Sequence, residues 1–423
     1  MKILVITRNA WDDTNSIGNT LSNFFCGIEN LEFASLYFRA AKPNNKLCKK
    51  YYHTSETELM RKWFCPDSIG NGFEISSDNT TTNSRESGEK KLIGFIRKYG
   101  LKLAYKLSDY LWYRKKWINQ NLDSFIKDFS PDLMVTFVKS APQYYLTVKY
   151  LREKYNIPLF TWIADDEYTA LKQKKREREI NNLKYILDES SVVTGCSNEI
   201  CEYYNSVFGC NAKPLYKSCD LSSPVKDKHG DPITVVYAGN LLYGRLEIIS
   251  RISEEIEKIA LNGVNISFEI YSNTNLTEQE INKVFYNKQH TQYIGKRAYD
   301  FIKKRLSEAD VALHVESFSE EEMLKTKYSF STKIIDYLQS GSLILAIGPE
   351  ELASIKYIDK IPGAHVIKKL DDLNSGLTSL LGASSDFIER KKAIRCFAKE
   401  FHDVNVTKKK LEETFNTIVK GGV

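Results

Sequence analysis

The residues with the clearest chemical potential lie between positions 328 and 341. Tyr328-Ser329-Phe330-Ser331-Thr332-Lys333-Ile334-Ile335-Asp336-Tyr337-Leu338 runs into Ser340-Gly341 and the apolar stretch LILAIGP. The apolar spacing predicts a helix from 331 to 339. Ser331 and Thr332 then stand at its start, where hydroxyls and unbonded amide N–H groups can face an anion. Lys333 adds a positive charge at the same place, and Asp336, one turn on, can accept hydrogen bonds from a ribose diol. A diphosphate on the helix start with a ribose on a carboxylate is how a nucleoside diphosphate would lie. A plain capped helix with an exposed Lys and Asp has the same sequence pattern, so the segment alone leaves both readings open.

Two strand-to-helix turns carry glycines that suit close approach to a ligand. ITVVYA ends in Gly239-Asn240, followed by Gly244-Arg245, and Arg245 offers a fixed fork for phosphate oxygens. The polar loop after KILVIT carries Gly18-Asn19-Thr20. Neither turn contains G-x-G-x-x-G or a Walker sequence, so dinucleotide and P-loop sites are unsupported.

The elements that must hold these residues alternate. Short apolar strands (KILVIT, 31–38, 132–137, LFTWIA, SSVVTG) interleave with helices at 122–129, 143–155, 178–187 and 198–207. The pattern restarts with ITVVYA and continues through ISFEIY, QYIG, 311–315 and LILAIG, with helices at 247–261 and 299–308. Such runs predict parallel sheets covered on both faces. The Pro-, Gly- and Ser-rich run 221–232 marks a boundary. The expected division is 1–220, 221–400 and a C-terminal helix, 401–423, that returns to the first domain.

The 423 residues, 42% hydrophobic and 27% charged, have an ordinary globular balance and are long enough for two cores. No run approaches the roughly 18 apolar residues of a membrane span. The opening MKILVITRNAWDD reads as a strand rather than an export signal, which with eight Cys and no C-x-x-C pair suggests a cytoplasmic chain with free thiols. None of the six His has ligand-like company, so no metal site is expected. A net charge of +6 permits an anionic partner, but the Lys and Arg residues are spread out and no nucleic-acid module is present.

Residues 68–91 are polar and non-periodic and read as a mobile insert. Directly after them, Leu92, Phe95, Ile96, Tyr99, Leu103, Leu107, Tyr110 and Leu111 recur at helical spacing. Between Lys90 and Lys116 there are nine Lys or Arg against one acid, Asp109, with Trp112 and Trp117 nearby. A basic amphipathic helix of this kind either packs its apolar stripe on the sheet or lies on a membrane surface, contacting it through 90–117.

With these segments in place the whole chain resembles the retaining nucleotide-sugar glycosyltransferases of family 4, especially bacterial surface-polysaccharide members. The resemblance implies an α/β fold of two doubly wound Rossmann-like domains facing a central cleft, the glycosyltransferase B-type fold. Ser329-Phe330 and Asp336 fall in register with the family's Glu-x-Phe-Gly-(x)4-Glu donor motif, and Leu338 to Ala346 matches the run that follows it. VVYAGNLLYGR resembles the loop whose Arg holds the diphosphate, which carries over to Gly239, Asn240 and Arg245. QYIGKRAYDFIKKRLSEADVALHVES resembles the base-binding region and brings in Gly295 and Lys296. Two positions depart from the motif: Tyr328 stands where its first Glu belongs, and Asp336 replaces the second.

The first departure leaves the carboxylate beside the transferred sugar open, and Glu316 at the end of VALHVES is one candidate. Where the family places a His in the first domain, TWIADDEYT offers Asp165 and Asp166, suited to proton acceptance or charge stabilisation. Gly18, Asn19 and Thr20 would line the acceptor side. The resemblance thus implies a metal-independent hexosyltransferase without cofactor. It would move a sugar from a UDP-sugar to a saccharide or lipid-linked saccharide in polysaccharide biosynthesis (capsule or O-antigen), at the inner face of the membrane. A non-catalytic sugar-nucleotide binder or scaffold and a sugar-nucleotide epimerase are the alternatives.

Overall fold

The computed structural model describes residues 1–39, 42–75, 101–222, 224–225 and 229–421. The chain divides into two compact units, residues 1–215 with 408–423, and residues 216–407. Each is built on one sheet. In the first, the strands are β1 (Lys2–Thr7), β2 (Glu32–Tyr37), β3 (Lys50–His53), β4 (Asn71–Glu74), β5 (Leu133–Phe137), β6 (Leu159–Ile163), β7 (Val192–Gly195) and β8 (Lys213–Pro214). Their order is β4-β3-β2-β1-β5-β6-β7-β8, parallel except for the antiparallel edge strand β4. The second sheet joins β9 (Ile233–Ala238), β10 (Ile266–Tyr271), β11 (Thr291–Tyr293), β12 (Val311–Val315), β13 (Leu343–Ile347) and β14 (His365–Ile367) in the order β11-β10-β9-β12-β13-β14, all parallel.

These strands read as unbroken apolar runs because helices cover both faces of a parallel sheet. Ile3, Leu4, Val5 and Ile6 of β1 are all fully buried, as are Leu313 of β12 and Ile344 of β13. Ile248, Ile252 and Ile256 along the helix Arg245–Leu261 pack with Phe268 and Leu313 in the second core. The closing helices are Phe387–His402 and Val404–Val419, interrupted at Asp403, where the sequence reads as helical throughout. Phe415 of the last helix packs edge-on against Phe160 and near Phe25, so residues 408–423 belong to the first core.

Two parts of the 39–121 region differ from the sequence reading. Residues 71–74 of the expected mobile insert form β4, which pairs with β3; its one large side chain, Phe73, stacks on Tyr51 at 5.5 Å. NGFE is turn-like by composition, so neighbouring structure rather than propensity makes it a strand. The rest of the insert from 76 onward, and residues 92–100 of the basic helix, lie outside the described residues.

The helix itself is observed over Leu101–Tyr113. Trp112 and Trp117, which stand beside the basic stripe in the sequence, are buried in the first core: Trp112 Nε1 donates to Glu56 at 3.1 Å, and Trp117 Nε1 donates to the Trp112 carbonyl at 3.1 Å. The exposed large side chains here are instead Phe64 (92% exposed), Leu107 and Tyr110. Tyr110 stacks on Trp63, Arg114 lies over the Tyr110 ring, and Lys116 lies over Trp63.

Candidate functional site

In an open α/β sheet the ligand crevice lies beyond the carboxyl ends of the strands, where neighbouring connections run in opposite directions. In the second sheet that point falls between β9 and β12. Gly239 and Asn240 follow β9, and Glu316 follows β12. Tyr243 and Gly244 both adopt left-handed backbone (φ 58° and 71°), turning the chain sharply into the helix that begins at Arg245. A side chain at Gly244 would collide with the Ser317 hydroxyl, so this turn requires glycine for space as well as conformation.

The turn delivers Arg245 to the strand ends. Its Nε donates to the Val315 carbonyl at 3.1 Å, one terminal nitrogen to Asn240 Oδ1 at 2.8 Å, and the other to Glu316 Oε2 at 2.7 Å. On the far side of Glu316, His314 Nε2 lies 3.2 Å from Oε1. Burial alone would raise the Glu316 carboxyl, but His314 and Arg245 together hold it below its ordinary value. Glu316 is therefore the anchor of Arg245.

Lys333 opens the helix Lys333–Ser340 and reaches back to the same place: a Cβ on Gly239 would collide with its ammonium. Among the described residues the ammonium has no hydrogen-bond acceptor and no ion-pair partner. Burial, reinforced by the Arg245 guanidinium, brings its pKa down to about 8. Two cations thus face each other with one carboxylate between them, an arrangement short of negative charge.

The helix begins two residues later than its sequence suggests, at Lys333 rather than Ser331, and no side chain caps it. The amides of Ile334 and Ile335 already donate to the Ser331 and Thr332 carbonyls. The Ser331 amide donates to Ser354 Oγ at 3.0 Å, and that hydroxyl donates to the Ser329 carbonyl at 3.1 Å. Ser329 and Ser331 are thus tied down by Ser354, and the amides left open are those of Thr332 and Lys333. Phe330 is buried between Tyr216 and Tyr357. One turn on, Asp336 accepts from the Tyr299 hydroxyl at 2.9 Å. Burial raises its carboxyl, and Lys217, Tyr299, Lys333 and Lys303 act against that rise. Gly295 is left-handed (φ 76°) and its carbonyl accepts from Ser272 N–H, while Lys296 is exposed.

In the first unit, Asp165 and Asp166 follow β6. Asp166 Oδ1 accepts from the Thr169 amide at 3.2 Å, at the start of the helix Tyr168–Gln173, and is therefore engaged as a capping group. Asp165 is exposed, with no hydrogen bond among the described residues. Gly18 and Thr20 lie inside the helix Ser16–Phe25. A Cβ on Gly18 would strike the Asp12 carbonyl, and the Thr20 hydroxyl donates to the Ser16 carbonyl. The close approach that Gly18 permits is therefore that of its own preceding loop, a correction to its reading as a ligand-facing turn. Asn19 is partly exposed on the same helix. Sequence reasoning missed Glu167, whose carboxylate pairs with Lys139 at 2.8 Å and accepts from the Ser140 amide at 2.7 Å. Its only sequence signal is its place after Asp165 and Asp166.

No protein-family model matches the chain, and no curated protein matches it in sequence. Several solved structures match it over its whole length. Sucrose-phosphate synthase from Thermosynechococcus elongatus aligns with a TM-score of 0.63 at 11% identity, covering 100% of both chains. The alpha,alpha-trehalose 6-phosphate synthase of Burkholderia multivorans gives 0.62 at 10%, again over 100% of both. Anabaena HepE in complex with UDP and glucose gives 0.61 at 10%, over 99% of this chain and 100% of that one. Together with the two parallel sheets, these likenesses show the glycosyltransferase B-type fold, two Rossmann-like domains in one chain.

Proposed function

We propose that the protein is a glycosyltransferase that takes a nucleoside-diphosphate sugar at the carboxyl ends of β9 and β12. The observation that carries this reading is the Arg245–Lys333 pair, with Lys333 partly buried beside a guanidinium and without an acceptor among the described residues. Arg245, Lys333, Lys217 and Lys303 stand against Glu316 and Asp336, an excess of two positive charges. That matches the charge of a diphosphate diester, so protein cations can neutralise the leaving group without a metal. The Thr332 and Lys333 amides add donors for its oxygens, and Asp336 is placed for the ribose. UDP is the favoured base, in keeping with the UDP held by HepE.

In this reading the first unit presents the acceptor, a saccharide or lipid-linked saccharide of polysaccharide biosynthesis, and the sugar is transferred with retention of configuration. Asp165 is the proposed group at the reacting sugar, since Asp166 is engaged with Thr169. Among the described residues no helix is long and apolar enough to cross a membrane. The cytoplasmic membrane surface would instead be met by Phe64, Leu107 and Tyr110, flanked by Lys106, Arg114 and Lys115.

A nucleoside-diphosphate and nucleotide-sugar panel read by thermal shift, followed by an assay for released nucleoside diphosphate, tests the proposal. A ligand present at about 100 times its Kd adds about 2.7 kcal/mol to stability. Binding without release or transfer would favour the second reading, a sugar-nucleotide binder, which Tyr328 in the place of a motif carboxylate supports. No stabilisation by any nucleotide would overturn both.

A further inference from the structure

Among the described residues eight that are not glycine have left-handed backbone, and seven of them are Asn, Ser or Lys; the eighth is Tyr243 (φ 58°). Asn tolerates that region through its short polar side chain, whereas an aromatic side chain there crowds its own backbone. Such a conformation persists only where its surroundings hold it, and a residue held in this way points to function. Here the holding groups stand on both sides of the turn. Before it, the Tyr237 hydroxyl donates to the Asn240 carbonyl at 2.5 Å and the Leu241 amide donates to Thr274 Oγ1 at 2.8 Å. After it, the Arg245 amide donates to the Leu242 carbonyl at 3.3 Å, and Gly244 lies against Ser317.

Glycine at 243 would fit this backbone without strain, yet the sequence places a tyrosine there. Its ring gives the reason. The Arg245 guanidinium carbon lies over the Tyr243 ring, 5.5 Å from the centroid, within the range of a cation–π contact. The three bonds of Arg245 to Val315, Asn240 and Glu316 run from the edge of the planar guanidinium and leave its faces uncovered. Tyr243 covers one of those faces. The residue is 44% exposed, and its hydroxyl makes no hydrogen bond among the described residues. Tyr243 is thus neither a core side chain nor a polar anchor, and the contact that distinguishes it is the one with Arg245.

We propose that Tyr243 is a positioning residue for Arg245, held in a strained backbone so that its ring shields the guanidinium from water and keeps it in the plane set by Glu316 and Asn240. The proposal rests on the nucleotide-site reading for the role of Arg245 and adds to it the residue that orients this cation. The strain and the stacking themselves are measurable without any nucleotide.

The test compares Tyr243→Ala, Tyr243→Gly and Tyr243→Phe with wild type in the full chain. The first two both remove the ring, but only Gly suits the left-handed backbone, so Tyr243→Gly should melt about 2–4 °C above Tyr243→Ala. The two should nevertheless bind UDP equally poorly by calorimetry, about 3- to 30-fold weaker than wild type, as expected for a lost cation–π contact. Tyr243→Phe keeps the ring and should recover most of the affinity. In protein carrying isotope-labelled arginine, the Arg245 Nε–H resonance is identified by its absence in Arg245→Lys. It should exchange with water faster in the two ringless variants than in wild type. Wild-type UDP affinity or unchanged Nε–H exchange without the ring would overturn the proposal, as would a Tyr243→Gly protein no more stable than Tyr243→Ala. UDP affinity in Tyr243→Phe as low as in Tyr243→Ala would also overturn it, since the hydroxyl and not the ring would then be the acting group. If wild type fails to bind UDP, the nucleotide reading falls, and the Nε–H exchange still decides whether Tyr243 holds Arg245.

Discussion

Glu316 and Arg245 form a buried ion pair, Oε2 to guanidinium nitrogen 2.7 Å, with their side chains only 5% and 13% exposed. The pair spans β12 and the turn after β9, 71 residues apart in sequence. His314 stands behind Glu316 and Asn240 beside Arg245, so the guanidinium is fixed before any ligand arrives. A fixed cation does not reorganise as charge develops on a leaving group, and that pre-organisation is the usual source of electrostatic stabilisation.

Glu316→Gln keeps the shape of the anchor and removes its charge. We expect a lower melting temperature, because Arg245 loses the partner of a largely buried charge, and UDP affinity about tenfold weaker with turnover at saturation changed far less. Calorimetry and steady-state kinetics on one preparation check this. A turnover loss of several orders of magnitude with unchanged UDP affinity would instead put Glu316 at the sugar.

Lys333→Met removes a cation near Glu316 that has no acceptor among the described residues. UDP affinity should fall about 10- to 100-fold, the usual cost of a charge-assisted bond. The fold should hold or gain stability, since a partly desolvated charge without an acceptor disfavours the empty protein. Unchanged UDP affinity would remove the diphosphate assignment.

The same lysine sets a pH dependence. Its folded pKa of about 8 lies below the ordinary 10.5, so between those values the unfolded chain holds a proton that the folded one has released. Stability of the empty protein should therefore rise as pH increases from 8 toward 10.5. Diphosphate binding favours the charged ammonium, so UDP affinity should fall above pH 8, with proton uptake on binding near pH 8 to 9. Calorimetry in buffers of different ionisation heat measures the uptake, and in Lys333→Met both slopes should disappear.

How far the sequence foretold this site depended on range. KILVIT, ITVVYA and LILAIG are legible as strands because burial on both faces makes every position apolar, whereas NGFE at a sheet edge carries turn-forming residues and one inward Phe. Arg245 and Lys333 were legible because each stands at the start of a helix, Arg245 after the turn that leaves β9 and Lys333 after a run of Ser and Thr. The roles of Glu316 and Tyr299 were not: their partners come from other strands and helices, and only the sheet order β9-β12-β13 brings them together. For Trp112 and Trp117 the sequence left packing and surface contact both open, and their burial decides for packing. Of the described stripe residues Leu111 is buried while Leu107 and Tyr110 are exposed, so the helix presents part of the stripe to solvent and sets Trp112 in the core.

At the strand end of β6 the two carboxylates should separate. Asp165→Asn should lower turnover far more than donor affinity, as expected for a group acting in the transition state. Asp166→Asn should lower stability by about 1 kcal/mol or less through its bond to the Thr169 amide, with turnover nearly intact. Kinetics and urea melts of both variants check the separation; the reverse pattern would make Asp166 the acting group.

The membrane-facing reading makes its prediction on Phe64, Leu107 and Tyr110 rather than on the buried tryptophans. Phe64 is almost wholly exposed, and Arg114 and Lys116 lie against the Tyr110 and Trp63 rings beside it. Aromatic side chains favour the headgroup region, and each Lys or Arg near an anionic leaflet contributes about 1 kcal/mol. Lys106→Glu, Arg114→Glu and Lys115→Glu combined should therefore reduce sedimentation with anionic vesicles steeply, and Phe64→Ser should weaken it further without a change in melting temperature. Wild-type binding should weaken as salt shortens the Debye length below about 8 Å. UDP binding should be unaffected, because Arg245 and Lys333 belong to the second unit. Equal sedimentation of wild type and the charge-reversed variant would make the helix Leu101–Tyr113 a purely internal support, with Trp112 filling the core and Tyr110 covering Trp63.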